Sequence, residues 1–195
     1  MTKLNILLVG VGGQGILTTS GIIARAALRS GVNVVTAETH GMAQRGGSVE
    51  VHVRLGEVHS PLIPYAGADV VVSLEPVEAA RYAQYLNENT LVILNNRSIV
   101  PTTVSAGLAT YPKLEEIISN LEKITKNIKV VEASKIANEV AGTVQATNVV
   151  VIGMLSKLID LPIEYSKFEE TIKDVFPEKL QDPNLKALKA GYEAV

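Results

Sequence analysis

Gly10, Gly12 and Gly15 stand in Gly-x-Gly-x-x-Gly spacing inside Val9-Gly10-Val11-Gly12-Gly13-Gln14-Gly15-Ile16-Leu17. An apolar run, Leu4 to Val9, precedes them, and a helical pattern lasting to about Ser30 follows. Glycine at a strand–turn–helix join permits positive φ and lets an anionic group approach the main-chain amides. The helix behind it offers unpaired N–H groups and a partial positive charge, so a pyrophosphate suits the turn. A tight turn that packs on another chain fits the same glycines, and both readings stay open. Gly10 to Gly15 also supply half of a P-loop. Ile16 and Leu17 occupy the places where Lys and Ser/Thr would reach the terminal phosphates and magnesium, so P-loop nucleotide hydrolysis is excluded.

A second cluster is His40-Gly41-Met42-Ala43-Gln44-Arg45-Gly46-Gly47. A guanidinium is a planar fork of donors that fits a pair of anionic oxygens, which makes Arg45 the strongest single functional side chain. It holds an anion, crosses a subunit interface as a bidentate carboxylate pair, or is an ordinary solvated arginine, and the three readings stay open. His40 titrates near neutrality but has no evident acid or base partner, and Gln14 either contacts a ligand or caps locally. Glu38 lies where dinucleotide proteins bind a ribose, or it ends a strand and pairs with Arg45. His52 and His59 face each other across a predicted hairpin without a third ligand, so no metal site is assigned.

These groups need elements to hold them. Periodicity predicts strands over 4–9, 32–37, 49–55, 68–74, 90–94 and 128–131. Helices are expected over 16–30, 77–86, 112–124, 133–140 and 147–159, the last apolar nearly all round and therefore buried in the core or under a partner. In 49–55, valines alternate with Glu50, His52 and Arg54, giving one buried and one polar face. Gly56-Glu57 predicts a tight turn returning through 58–63, with Pro61 and Pro64 confining that return strand to an edge. Residues 164–195 carry two helical patterns divided near Pro177, with Asp182-Pro183 opening the second. The fold class is α/β: a Rossmann-like, doubly wound, largely parallel sheet with a β-hairpin and a helical C-terminal extension at about 164–195. In such a sheet both glycine loops lie at the carboxyl edge and form one crevice.

Composition narrows the function. The 195 residues suit one domain, and 47% hydrophobic content implies a full core and a partner that covers surface. Eighteen Lys+Arg against 20 Asp+Glu, with 4% aromatics, leave no footprint for nucleic acid. The absence of cysteine removes thiolate catalysis, disulfides and cluster ligation by this chain. Neither a signal-peptide plan nor a membrane-length apolar run is present, so a cytoplasmic location is expected.

The pairing of Gly10-Val11-Gly12-Gly13-Gln14-Gly15 with Glu38-Thr39-His40-Gly41-Met42-Ala43-Gln44-Arg45-Gly46-Gly47 resembles the gamma domain of the 2-oxoacid:ferredoxin oxidoreductases, in particular the beta-subunit branch of the indolepyruvate enzymes. The likeness extends through 68–74 with Glu75-Pro76 and weakly through 148–153, so 1–195 is expected to be a single gamma-type domain. The resemblance implies oxidative decarboxylation of an aryl pyruvate on thiamine diphosphate, electron transfer through iron–sulfur clusters to ferredoxin, and release of the acyl group on coenzyme A. This chain has no Gly-Asp pair for a thiamine signature and no cysteine. It is therefore expected to be the smaller, non-autonomous subunit beside a larger thiamine- and cluster-bearing alpha subunit, with a homodimer possible in isolation. Coenzyme A at the crevice would meet Gly10, Gly12, Gly13, Gln14, Gly15, His40, Arg45, Gly46 and Gly47. Two other functions compete: an independent NAD-dependent oxidoreductase and a purely structural interaction module.

Overall fold

The computed structural model describes residues 3–40 and 46–195. Six strands, β1 (Leu4–Val11), β2 (Val34–His40), β3 (Ser48–Leu55), β4 (Val70–Ser73), β5 (Leu91–Asn95) and β6 (Ile128–Val131), form one sheet in the order β2-β3-β1-β4-β5-β6. The helices are α1 (Ile16–Arg29), α2 (Pro76–Arg81), α3 (Thr102–Ser105), α4 (Leu114–Leu121), α5 (Ala133–Ala141), α6 (Thr147–Leu158), α7 (Tyr165–Val175) and α8 (Glu178–Glu193). Pairings β1–β4, β4–β5 and β5–β6 are parallel, whereas β3 runs against both β1 and β2. Alternation along β1 explains the two layers. Ile6 and Leu8 join the core under α1, α5, α6, α7 and α8, and Leu7 and Val9 join the core under α2 and α4.

Three expectations need correction. The hairpin is β2–β3, joined through 41–47, and 58–63 forms no strand. Pro61 breaks a ladder by lacking an N–H, so that segment is strapped to the sheet by side chains instead. Arg54 Nη1 donates to the carbonyls of Ser60 (2.7 Å) and Leu62 (3.0 Å), and Ile63 N donates to His52 Nδ1 (3.1 Å). The polar face of β3 is consequently buried: His52 is 0% and Arg54 8% exposed. Finally, Pro183 lies inside α8, which starts at Glu178 directly after Pro177.

Helix α6 is wrapped by the chain itself, with nine consecutive residues, Thr147–Leu155, buried. Its crossing with α8 relies on two glycines. A Cβ on Gly153 would stand 2.1 Å from the Leu188 carbonyl oxygen, and one on Gly191 would stand 1.9 Å from that of Val150. Residues 164–195 therefore pack into the main layer, α8 on α6 and α7 on α1, where Arg29 pairs with Glu170 and Asp174. No helix among the described residues is long and apolar enough to cross a membrane.

Candidate functional site

The order β2-β3-β1-β4 makes the β1/β4 border a switch point. From β1 the chain leaves through α1 toward β2 on one side, and β4 lies on the other. Ligands of open α/β sheets bind outside the strand ends at such borders. A crevice of about 540 Å³ opens there, bounded by the β1–α1 turn, Gly46, the residues after β4 and β5, and the starts of α5 and α6.

The first glycine loop is held from inside. Val11 N donates to Gln14 Oε1 (2.7 Å), while Gln14 Nε2 donates to the Leu74 carbonyl (2.9 Å), tying the turn to the end of β4. Gln14 thus lines the crevice, but both ends of its amide are occupied by the protein. Gly10 lies beneath it, where a Cβ would stand 2.7 Å from Gln14 Oε1, and Gly10 does not line the crevice. Gly15 is the N-cap of α1, with φ 80°, and no side chain caps that helix. Among the described residues, the amides of Gly13, Gly15, Ile16 and Leu17 donate to no protein group. They form an open donor set at a helix start.

The second loop meets the first directly: Gly12 N donates to Gly47 O (2.8 Å), and Gly46 N donates to Gly12 O (3.2 Å). Its stem is anchored by Ser48, whose hydroxyl bonds Glu78 and lies 2.8 Å from the Tyr82 hydroxyl. Arg45 lies outside the described residues, as does the side chain of His40, which ends β2.

The sequence reading missed the opposite wall. Arg97 and Ile99 follow β5, and Ser134, Thr147 and Asn148 come from the starts of α5 and α6. A buried network fixes this wall: Asn95 Nδ2 donates to Leu74 O (3.1 Å) and Ser134 Oγ (3.0 Å), and Thr147 Oγ1 donates to the Val144 carbonyl (2.6 Å). Glu75, 1% exposed, accepts at Oε1 from Ile99 N (3.2 Å) and from the Tyr111 hydroxyl, holding the segment that carries Arg97. No carboxylate lines the crevice among the described residues.

A separate polar cluster lies under the strap. His52 Nε2 faces Glu50 Oε1 at 3.8 Å, and neither His52 Nε2 nor Glu50 Oε2 finds a hydrogen-bond partner among the described residues. Burial lowers the His52 pKa, helped by the Arg54 charge, and burial raises that of Glu50. His59 is exposed and does not join them, and no three potential metal-ligating side chains converge among the described residues.

The dinucleotide reading fails on geometry. Because β3 intervenes, β2 lies two strand spacings from β1, about 10 Å. Glu38 is exposed near the end of that edge strand and does not line the crevice, so it is misplaced for the ribose of a nucleotide seated on the glycine turn.

Residues 5–194 match the family model of pyruvate ferredoxin/flavodoxin oxidoreductases. The chain belongs to this family. It is 63% identical over 190 residues to the indolepyruvate oxidoreductase subunit IorB of Archaeoglobus fulgidus, covering 97% of this chain and 94% of that one. Among solved structures it is similar to pyruvate oxidoreductase subunit PORC of Thermotoga maritima, with TM-score 0.70 and 25% identity over 99% of this chain and 97% of that chain. A 2-oxoglutarate:ferredoxin oxidoreductase from Magnetococcus marinus, solved with 2-oxoglutarate, coenzyme A and succinyl-CoA bound, shares the fold (TM-score 0.72, 21% identity). That match covers all of this chain and 32% of the longer one. This chain has no cysteine and so supplies no thiolate to an iron–sulfur cluster.

Proposed function

We propose that this chain is the smaller subunit of an indolepyruvate-type ferredoxin oxidoreductase, and that its crevice binds the anionic part of coenzyme A. The reaction converts an aryl pyruvate and coenzyme A into an acyl-CoA and carbon dioxide, with two electrons passing to ferredoxin. Thiamine diphosphate and the iron–sulfur clusters belong to a larger alpha subunit, through which ferredoxin is also met. This chain supplies binding and orientation. The observation that carries the reading is the contact between the two glycine loops, Gly12 with Gly46 and Gly47, beside the free amides of α1. Gly13 and Gly15 would hold phosphoryl oxygens through their amides, with Gly12, Gly46 and Gly47 shaping the rim. Arg45 and His40, next to that rim in sequence, would add donors from the second loop. Gly10 and Gln14 serve by supporting the turn. Leu17, 46% exposed on the first turn of α1, and Val144, 38% exposed at the crevice, supply apolar surface for the partner.

The test is co-expression with the larger subunit. A stable complex should reduce ferredoxin with indolepyruvate and coenzyme A, and either chain alone should be inactive. Full turnover by the isolated small chain, or an active large chain without it, would refute the assignment. Arg45→Ala in the assembled complex should raise the KM for coenzyme A about tenfold, the loss of one charge-assisted contact.

A further inference from the structure

The wall opposite the glycine turn contains three buried polar side chains: Ser134, Thr147 and Asn148. Two are fully engaged. Ser134 Oγ accepts from Asn95 Nδ2 and donates to Thr147 Oγ1, whose own proton goes to the Val144 carbonyl. Asn148 differs. It is 5% exposed, and its Oδ1 accepts from Val149 N (2.9 Å), which leaves the amide nitrogen turned toward the turn. Nδ2 would lie 2.9 Å from a Cβ on Gly15, and it donates to no protein acceptor among the described residues. The rest of the side chain is buried and held by the bond to Val149 N, so this amide is a fixed donor that opens only to the crevice, where an acceptor arriving from outside can take it. Arg97 stands on the same wall, exposed and without an ion pair among the described residues. Across from both are the uncapped amides of α1.

We propose that Asn148 and Arg97 form a phosphoryl-binding wall, so that the crevice grips a phosphoric anhydride from two sides: main-chain amides of the glycine turn on one, a side-chain amide and a guanidinium on the other. This rests on the reading of the crevice as the coenzyme A site and names residues outside the glycine loops that complete it. The chemistry is selective. Asn148 Oδ1 is engaged by Val149 N, so Asn148 and Arg97 turn donors to the crevice, and among the described residues no carboxylate lines it to repel an anion. A guest whose oxygens only accept, such as a diphosphate ester, matches the Asn148 amide, the Arg97 guanidinium and the open amides of the glycine turn.

The experiment is calorimetric titration of the co-purified two-subunit complex with coenzyme A, dephospho-coenzyme A, NAD and inorganic pyrophosphate. Asn148→Asp keeps the shape of the side chain but replaces both donors with a negative charge. A carboxylate in the first turn of α6 favours that helix, so the thermal midpoint should not fall while affinity for coenzyme A and pyrophosphate drops about 100-fold. Arg97→Gln, at an exposed position, should weaken both about tenfold, with a smaller ratio at high salt. If Asn148→Asp binds both ligands within about threefold of the unmodified complex, the wall is refuted. If a Gly13→Val variant then still loses coenzyme A, the glycine-turn reading survives without the wall. If the unmodified complex binds neither coenzyme A nor pyrophosphate, both readings fall together. NAD binding more tightly than coenzyme A, and lost in Asn148→Asp, supports the wall and overturns coenzyme A as its guest.

Discussion

Two helices start side by side at the carboxyl edge of the sheet and meet the same electrostatic problem in opposite ways. Helix α2 follows β4, and the chain seals its start: Glu75 Oε2 accepts from Val77 N (2.7 Å) and Glu78 N (3.2 Å). Helix α1 follows β1 and starts at Gly15 with no side-chain cap. A carboxylate of the protein occupies at α2 the position that the crevice leaves open for a guest at α1. The sealed end also supports the open one, because Glu75 Oε1 accepts from Ile99 N on the Arg97 wall. An anion that is always present thus becomes part of the fold, and one that comes and goes needs glycine, free amides and room.

Unsealing α2 should have the largest effect. Glu75→Ala removes the acceptor for Val77 N, Ile99 N and the Tyr111 hydroxyl at a position 1% exposed, and leaves Glu78 N only the main-chain carbonyl of residue 75. Even with some donors regaining water, about 3 kcal/mol of stability should be lost, read as a lower urea midpoint at unchanged slope. Glu75→Gln, which keeps one acceptor oxygen, should lose about half of that. A midpoint for Glu75→Ala equal to that of the unmodified chain would mean the two helix starts do not differ as described.

Closing α1 should cost less stability and more binding. Gly15→Ala forces a φ of 80° on a residue with a side chain and sets its Cβ 2.9 Å from Asn148 Nδ2. A loss of about 1–3 kcal/mol is expected, together with about tenfold weaker coenzyme A binding. Gly13→Ala sharpens the contrast. Gly13 has φ 105° but meets nothing within 4 Å, so only the backbone strain should register. Equal destabilisation by the two substitutions would show that the Asn148 contact is unimportant.

Much of this edge was legible in the residues. The glycine spacing and the apolar run before it fixed β1, the turn and α1, and Gly46-Gly47 marked the second half of the rim. The burial of 147–155 followed from its all-round apolar pattern. What escaped depends on pairing across long sequence separations. The insertion of β3 between β1 and β2, which displaces Glu38, has no local signature, because alternation specifies a strand and not its neighbour. His52 and Arg54 read as a solvated face because the segment that buries them passes as an ordinary proline-rich loop. Asn148 sat unremarked in an apolar helix, although an asparagine with low helix propensity among valines was the available signal. Glu75 was equally readable, since a carboxylate directly before Pro76 stands where a cap belongs, followed by a residue suited to the first helical position.

The smallest effect tests one strand of the α2 seal. Tyr111 donates its hydroxyl to Glu75, and burial together with that bond pushes its pKa up to about 12, since ionising it would set two anions against each other. An unfolded tyrosine loses its proton near pH 10. Between pH 10 and about 12 the unfolded chain therefore releases a proton that the folded chain retains, and stability falls as pH rises through that window. Tyr111→Phe should cost about 1 kcal/mol at neutral pH and flatten this alkaline decline. Tyr165 is likewise raised to about 12, and Tyr82 and Tyr85 are raised as well, so the decline in the unmodified chain has several contributors. The difference between the two stability curves isolates Tyr111. Curves that stay parallel from pH 9 to 12 would place its hydroxyl outside the seal and leave Glu75 held by main-chain donors alone.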